Sequence, residues 1–218
     1  MAWRVEIIVR LGILGGTFDP IHIGHLALAE AARSAFDLER VLFVPAAVPP
    51  HKPVEPVAAP EHRLAMVRLA VEGNPFFAVS AMELERGGPS YTVDTLAELR
   101  RLDPEAELYF VTGADEVVTL DTWREPARLL ELAHFVAATR PGFSPRQLEE
   151  AEGRLGPAAR GRLHALPWLE IGLSSTDLRG LLQAGRPVRY LVPDKVAAYI
   201  EQHRLYRPPS QDSGPARA

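Results

Sequence analysis

Short apolar runs alternate with amphipathic segments along the 218 residues, and this alternation limits the possible folds more than any other feature. Compact apolar runs bounded by turn residues predict buried strands. The predicted strands span residues 11–14, 41–44, 76–84, 107–111, 134–138 and 163–166. The predicted helices span residues 23–36, 61–71, 90–102, 116–120, 126–132, 143–155, 175–184 and 193–203. Strands that alternate with helices favour βαβ units and a parallel sheet.

The alternation indicates an α/β fold, with a Rossmann-like parallel sheet and helices on both faces. We expect one domain over residues 1–207, in which residues 1–9 are an extra piece before the first strand. Residues 208–218 are small and polar, which is typical of a disordered tail.

Composition excludes several classes of protein. The chain has no cysteine, so disulfides, thiolate metal sites and cysteine nucleophiles are excluded. Its formal net charge of −4 argues against a general nucleic-acid binder. No apolar run approaches the ~20 residues of a membrane helix, and the N-terminus lacks the layout of a signal peptide. We therefore expect a cytoplasmic protein with no nucleic-acid or membrane partner.

Ligands of parallel α/β sheets bind beyond the carboxyl ends of the strands. Four segments follow predicted strands and are expected to meet at this edge. They are Gly15 with Gly16, the loop 45–60 with its six prolines, residues 113–115 and residues 140–142.

The first of these segments, residues 15–25, has the sequence GGTFDPIHIGH and predicts a phosphate site. Gly15 and Gly16 allow the backbone to approach a ligand closely. The helix that starts near Ile23 offers N–H groups and a partial positive charge, which favour phosphate. His22 and His25 are three residues apart, so both can point to the same side. Alternatives are a metal pair, disfavoured because no third ligand lies nearby, and a plain helix cap.

A late segment, residues 173–179, predicts a second anion site at the start of a helix. Ser174, Ser175 and Thr176 supply cap hydroxyls and N–H donors, and Arg179 lies about one turn further on. The alternative is a capped helix with a solvated arginine.

His22-Ile23-Gly24-His25 is the HIGH tetrapeptide of the nucleotidyltransferase superfamily, which class I aminoacyl-tRNA synthetases share. The preceding GGTFDP resembles the small adenylyl- and cytidylyltransferases, and the late segment resembles their second phosphate motif. The resemblance implies a nucleotidyltransferase fold, ATP as a substrate, and Mg²⁺ bound with ATP and not by a protein metal site. It implies His22, His25 and Arg179 as catalytic residues. The implied ATP-binding residues are Gly15, Gly16, Thr17, Phe18, Asp115, Ser174, Ser175 and Thr176.

Other segments resemble one family, the bacterial nicotinate-nucleotide adenylyltransferases, over roughly residues 11–206. They are PPHK at 49–52, His62-Arg63 with Met66, PSYTVDTL at 89–96, Gly113-Ala114-Asp115 followed by Trp123, RPG at 140–142 and the ending 196–206. The resemblance implies transfer of the adenylyl group of ATP to nicotinic acid mononucleotide in NAD biosynthesis. The implied mononucleotide-binding residues are His51, Lys52, Tyr91, Thr92, Trp123, Arg124 and Arg140.

Within this set the resemblance implies separate roles. Residues 90–92, with Thr92, hold the nicotinate carboxylate; Trp123 stacks on the pyridine ring; His51 and Lys52 approach the phosphate. Asp115 faces the ribose or adenine of ATP. Plain structural roles stay open, with Trp123 in the core, Thr92 as a helix cap and Lys52 as a loop charge.

One position departs from the family pattern. Arg124 follows the tryptophan where family members often have tyrosine. We hypothesise that Arg124 strengthens the preference for the acid over the amide.

Alternative functions stay open at this stage. They are a nicotinamide-mononucleotide or phosphopantetheine adenylyltransferase of the same fold, and a nucleotide-binding module without catalysis. A class I synthetase is disfavoured because the chain is too short for an anticodon domain. A homo-oligomer is also possible.

Overall fold

A parallel sheet forms the centre of the computed structural model, which describes residues 9–49, 57–139, 143–167 and 171–207. Its strands are β1 Arg10–Gly16, β2 Arg40–Pro45, β3 Phe77–Val79, β4 Glu107–Gly113, β5 His134–Thr139 and β6 Leu163–Pro167. Within the described residues the strand order is β3-β2-β1-β4-β5-β6, and neighbouring strands are parallel. This is the strand order of doubly wound nucleotide-binding folds, and the predicted fold class is confirmed.

Helices follow the strands in the predicted alternation. They are α1 Ile23–Ala35, α2 Pro60–Val71, α3 Met82–Arg86, α4 Thr92–Leu102, α5 Ala114–Val117, α6 Pro126–Leu132, α7 Pro145–Leu155, α8 Ser175–Gln183 and α9 Asp194–Gln202. Two short 3-10 helices span Leu120–Thr122 and Gly156–Ala159. Within the part of the chain that the structure describes, no helix is long and apolar enough to cross a bilayer.

The sheet separates two apolar clusters, because successive residues of a strand point to opposite faces. Leu14 of β1 and Val111 of β4 belong to the cluster that packs against α1, α2, α8 and α9. Ile13 and Phe110, their neighbours in sequence, belong to the cluster that packs against the helices from α3 to α7. Helices therefore cover both faces, as predicted.

Two predicted elements are wrong in type or position. The strand predicted over 76–84 ends at Val79, and α3 follows it. Ser80 Oγ accepts a hydrogen bond from the Met82 N–H (3.3 Å), which turns the chain out of the strand. The helix predicted over 116–120 is replaced by α5 and the 3-10 helix Leu120–Thr122. The other predicted elements end within two residues of the observed ones.

The ends of the chain are described in part. Of the expected extra piece, residues 1–8 lie outside the described residues, as does the tail 208–218. Val9 is described, and its carbonyl accepts a hydrogen bond from the Glu107 N–H at 2.8 Å. Val9 therefore extends the pairing of β1 with β4.

Candidate active site

The loop between β1 and α1 lies at the switch point of the sheet, where the chain order reverses between β1 and β4. Gly16 ends β1, and a Cβ atom at this position would lie 3.1 Å from the ring of Phe18. The ring of Phe18 is fully buried and packs edge-on against His25, with ring centroids 5.1 Å apart. The Phe18 ring thus supports His25, and a contact of Phe18 with ATP stays a prediction.

His22 is buried at the residue before α1, with 5% of its surface exposed. Burial lowers its pKa from 6.5 to about 4, so the ring is neutral at neutral pH. Its Nδ1 atom has no hydrogen-bond partner among the described residues. A Cβ atom on Gly24 would lie 3.0 Å from the His22 ring, so glycine provides the space that the ring needs.

His25 is held in one orientation by its neighbour. The His22 N–H donates to His25 Nδ1 at 3.2 Å, and the two rings lie 3.7 Å apart. In the neutral ring, an accepting Nδ1 places the proton on Nε2. His25 therefore presents Nε2 as a hydrogen-bond donor at the N-terminus of α1, where an anion is favoured.

The start of α8 contacts the loop after β1, as the two phosphate motifs predict. Arg179 donates to the backbone carbonyl of Asp19 at 2.7 Å and to Thr176 Oγ1 at 3.1 Å. Ser175 Oγ donates to the carbonyl of Pro20 at 2.9 Å. The structure therefore brings His22, His25 and Arg179 to one edge of the sheet on two helix N-termini.

The cap hydroxyls of α8 make hydrogen bonds within the protein. Ser174 Oγ donates to Asp177 Oδ2 at 2.6 Å and accepts from the Asp177 N–H at 3.1 Å, which is a capping box. The backbone N–H groups of the first helical turn lack intrahelical acceptors. The sequence indicated both cap hydroxyls and N–H donors, and phosphate contacts of Ser174, Ser175 and Thr176 stay a prediction.

A buried polar network that the sequence did not reveal lies beneath this loop. The carboxylate of Asp19 is buried and accepts hydrogen bonds from Tyr206 Oη (2.7 Å) and from the N–H groups of Val57 (2.8 Å) and Ala58 (3.1 Å). Burial raises the pKa of Tyr206, so this hydroxyl keeps its proton. Beside it, the guanidinium of Arg63 is fully buried among backbone carbonyls.

Two of the predicted mononucleotide-binding residues, Tyr91 and Thr92, stand at the N-terminus of α4, with Tyr91 as the N-cap residue. Ser90 Oγ accepts from the Ala47 N–H at 2.8 Å, and the Ser90 N–H donates to the Val48 carbonyl at 2.9 Å. These two bonds join α4 to the chain that leaves β2. Ser90 is therefore a connecting residue outside the helix, which explains why α4 begins later than predicted.

Trp123 and Arg124 belong to the same side. Trp123 is partly buried and packs edge-on against Phe110, with ring centroids 6.1 Å apart. The side chain therefore contributes to the apolar core. The guanidinium of Arg124 lies over the ring of Tyr91 at 4.6 Å and 3.6 Å from Asp94 Oδ2. Arg124 therefore links the tryptophan segment to the start of α4, and stacking of Trp123 on a pyridine stays a prediction.

The remaining predicted residues divide into two groups. Asp115 is exposed in α5, directly beyond β4, and Gly113 leaves room for its carboxylate. A role of Asp115 toward ATP stays a prediction. His51, Lys52 and Arg140 lie outside the described residues.

The described residues contain no group of three or more His, Asp or Glu side chains that could hold a metal ion. The carboxylate of Asp19, the acidic group nearest to Arg179, is committed to hydrogen bonds with Val57, Ala58 and Tyr206. Among the residues that the structure describes, these donors therefore do not form a cage for Mg²⁺. Entry of Mg²⁺ with ATP stays a prediction.

Comparisons with known proteins agree with this geometry. The cytidylyltransferase-like family matches residues 13–181. A Thermus thermophilus protein named "Probable nicotinate-nucleotide adenylyltransferase" is 52% identical over 199 residues, which cover 91% of this chain and 100% of the relative. A Moorella thermoacetica protein of the same name is 50% identical over 200 residues, covering 91% and 92%.

A solved structure shows the same fold. The Plasmodium falciparum nicotinic acid mononucleotide adenylyltransferase complexed with NaAD superposes with a TM-score of 0.72 and 18% identity, covering 91% of this chain and 97% of that chain. The sequence matches over nearly the whole chain, together with the paired phosphate motifs, show the family. The chain belongs to the cytidylyltransferase-like nucleotidyltransferases and, within them, to the nicotinate-nucleotide adenylyltransferases.

Proposed function

We propose that the chain joins ATP and nicotinic acid mononucleotide into nicotinic acid adenine dinucleotide and pyrophosphate, a step of NAD biosynthesis. The observation that carries this proposal is the contact between the loop after β1 and the start of α8, made by Arg179 with Asp19 and by Ser175 with Pro20. The names of the close relatives support nicotinic acid mononucleotide as the acceptor.

The reaction needs orientation and charge stabilisation more than acid or base catalysis. A phosphate oxygen of the mononucleotide attacks the α-phosphorus of ATP, and the bond from that phosphorus to the bridging oxygen breaks as pyrophosphate leaves. Because the attacking phosphate is already ionised at neutral pH, no general base is required. Fixed donors that face the developing charge then supply the rate enhancement.

The described donors fit this division of labour. His25 can donate from Nε2 toward the α-phosphate, since His22 holds its Nδ1. Arg179 and the N-terminus of α8 carry positive charge toward the leaving pyrophosphate. Neutral His22 supports His25 and contributes a hydrogen bond instead of a full charge.

We propose that Mg²⁺ enters as the complex with ATP, held by nucleotide oxygens and water. Titration of the ATP-free protein with Mg²⁺ in a calorimeter is expected to give no heat of specific binding. Saturable binding of about one ion without nucleotide would contradict this.

A direct assay tests the function. Pyrophosphate release is measured with Mg²⁺ and ATP against nicotinic acid mononucleotide, nicotinamide mononucleotide and phosphopantetheine. We expect the first acceptor to give the highest kcat/KM. His25→Ala is expected to lower kcat by at least about 100-fold, while His203→Ala, at an exposed histidine beyond α9, leaves it unchanged. Full activity of His25→Ala, or preference for another acceptor, would contradict the proposal.

Arg124 refines the choice between acid and amide. Its guanidinium rests on Tyr91 beside the start of α4, where the nicotinate carboxylate is expected. Arg124→Ala is expected to reduce the acid-to-amide ratio of kcat/KM several-fold. Arg128→Ala removes an exposed arginine of α6 that pairs with Glu131, and it should leave the ratio unchanged. An unchanged ratio in Arg124→Ala would remove Arg124 from acceptor selection.

A further inference from the structure

Arg63 in α2 is a fully buried arginine that touches both halves of the site through backbone atoms alone. Its Nη1 donates to the carbonyls of Thr17 (2.9 Å) and Ala46 (2.6 Å). Nη2 donates to Ala47 (3.3 Å) and Nε to Ala58 (3.3 Å). The guanidinium is a rigid planar fork, so it fixes these chain segments relative to one another.

One end of this connection leads to the ATP side. Thr17 belongs to the loop between β1 and α1, which leads into His22 and the first turn of α1 with His25. Asp19 in the same loop accepts Arg179 on its carbonyl. Arg63 therefore holds the loop that leads into His22 and α1 and that Arg179 contacts.

The other end leads to the acceptor side. Ala47, whose carbonyl accepts from Arg63, donates its N–H to Ser90 Oγ, and Ser90 precedes Tyr91 and Thr92. The path from Arg63 to the start of α4 thus consists of two successive hydrogen bonds.

Asp19 and Tyr206 brace the same connection. The Asp19 carboxylate binds the N–H of Ala58, whose carbonyl in turn accepts from Arg63. Tyr206, beyond α9, donates to the same carboxylate oxygen. Deletion of the Asp19 carboxylate would leave the N–H groups of Val57 and Ala58 and the Tyr206 hydroxyl without this acceptor, and deletion of the Tyr206 hydroxyl would remove one of the donors to Asp19. Either loss weakens the geometry around them.

We propose that Arg63, braced by Asp19 and Tyr206, is a positioning residue that fixes the ATP side and the acceptor side of the site relative to each other. This inference rests on the proposed function, because it assigns the two sides their substrates. Its consequence is specific. Each side can still bind its substrate when the connection is loosened, but the attacking oxygen and the α-phosphorus lose their alignment, which can cost on the order of 100-fold in rate.

The test uses Arg63→Lys, which keeps the charge but loses the fork, with Arg100→Lys as the matched control. Arg100 also donates to three backbone carbonyls, those of Pro104, Ala106 and Leu132, but at the opposite edge of the sheet. We expect kcat of Arg63→Lys to fall by about 10- to 100-fold. Calorimetric Kd values for ATP alone and mononucleotide alone should change less than about 3-fold, and kcat of Arg100→Lys less than about 2-fold.

A gentler pair covers the case in which Arg63→Lys does not fold. Tyr206→Phe removes the hydroxyl that braces Asp19, and Tyr199→Phe removes a hydroxyl bonded to His62 Nδ1 at 2.9 Å on the neighbouring surface. We expect Tyr206→Phe to lower kcat several-fold at unchanged Kd values, and Tyr199→Phe to have no effect.

Amide exchange measured by NMR separates this inference from the proposed function. In Arg63→Lys or Tyr206→Phe, the Ala47, Ala58 and Ser90 amides should exchange several-fold faster than in the matched control. If the wild-type protein forms no dinucleotide, the proposed function fails. The amide exchange rates alone then test whether Arg63 fixes the two sides relative to each other. Unchanged exchange, unchanged kcat in an active enzyme, or a loss explained wholly by weaker substrate binding overturns the inference.

Discussion

At the scale of single residues, the glycines of the segment 15–25 matter as much as its polar groups, because they leave space for neighbouring rings. Gly16 makes room for the Phe18 ring and Gly24 for the His22 ring. These rings in turn hold His25, whose Nδ1 also accepts from the backbone. The histidine and glycine positions of the tetrapeptide 22–25 are thus explained by packing around one hydrogen-bond donor, His25 Nε2.

Gly24→Ala tests this explanation. The added Cβ would lie 3.0 Å from the His22 ring, closer than ordinary packing allows, so the ring must shift. We expect kcat to fall by about 10-fold or more while the fold persists, measured by pyrophosphate release and circular dichroism. Gly153→Ala, in α7 with no atom near the added Cβ, is the control. Equal kcat in both variants would show that His22 need not stay in place.

The sequence could predict the residues of the two phosphate motifs, because His22, His25 and Arg179 stand in local patterns. It could not predict the partners of Asp19, since Tyr206 lies 187 residues away and contacts it only in the folded chain. The family resemblance included Arg63 but could not predict its partners, because backbone carbonyls bind its guanidinium and these leave no trace in side-chain identity.

At the scale of elements, the site is built from two helix N-termini that meet. α1 follows β1 at the switch point, and α8 contacts the loop between them through Ser175 and Arg179. Helix starts were predictable where a cap residue is local, as at Ser174. The start of α3 within the segment 76–84 was not predictable, because the apolar pattern suits a strand as well as a helix. The turn at Ser80 ends the strand and decides between them.

Two matched helix caps separate stability from function. Ser174→Ala removes the capping box of α8, and Ser144→Ala removes that of α7, away from the phosphate motifs. Each variant is expected to lose about 1 kcal/mol in the free energy of unfolding. We expect only Ser174→Ala to raise KM for ATP, by several-fold. If both variants or neither change KM, the start of α8 has no special part in binding ATP.

At the scale of the whole molecule, the parallel order brings segments that are distant in sequence to one edge, as the alternation predicted. The opposite edge carries a different polar cluster. His134 Nδ1 and His164 Nε2 lie 2.9 Å apart, and His134 Nε2 lies 3.3 Å from Glu107 Oε1. Burial lowers the pKa of both histidines.

Buried His22 and half-buried His134 and His164 give the free energy of unfolding a definite pH dependence. Folding lowers the pKa of His22 to about 4, below the 6.5 of the unfolded chain, so the unfolded state binds more protons between these values. Stability is therefore lost as pH falls from about 6.5. His22 should contribute about 2 kcal/mol of this loss between pH 7 and pH 5.

Denaturant unfolding at several pH values measures this effect. The loss of stability between pH 7 and pH 5 should be smaller in His22→Asn than in wild type, with His134 and His164 still contributing in both. Identical losses would mean that His22 is not buried in the neutral form.

The most direct measurement of the central claim follows the oxygen atoms. Nicotinic acid mononucleotide labelled with ¹⁸O in its phosphate is incubated with ATP, Mg²⁺ and the protein, and the products are weighed by mass spectrometry. Attack on the α-phosphorus predicts that the dinucleotide keeps all of the label and that pyrophosphate contains none. Label in pyrophosphate, release of AMP, or no dinucleotide would contradict the account.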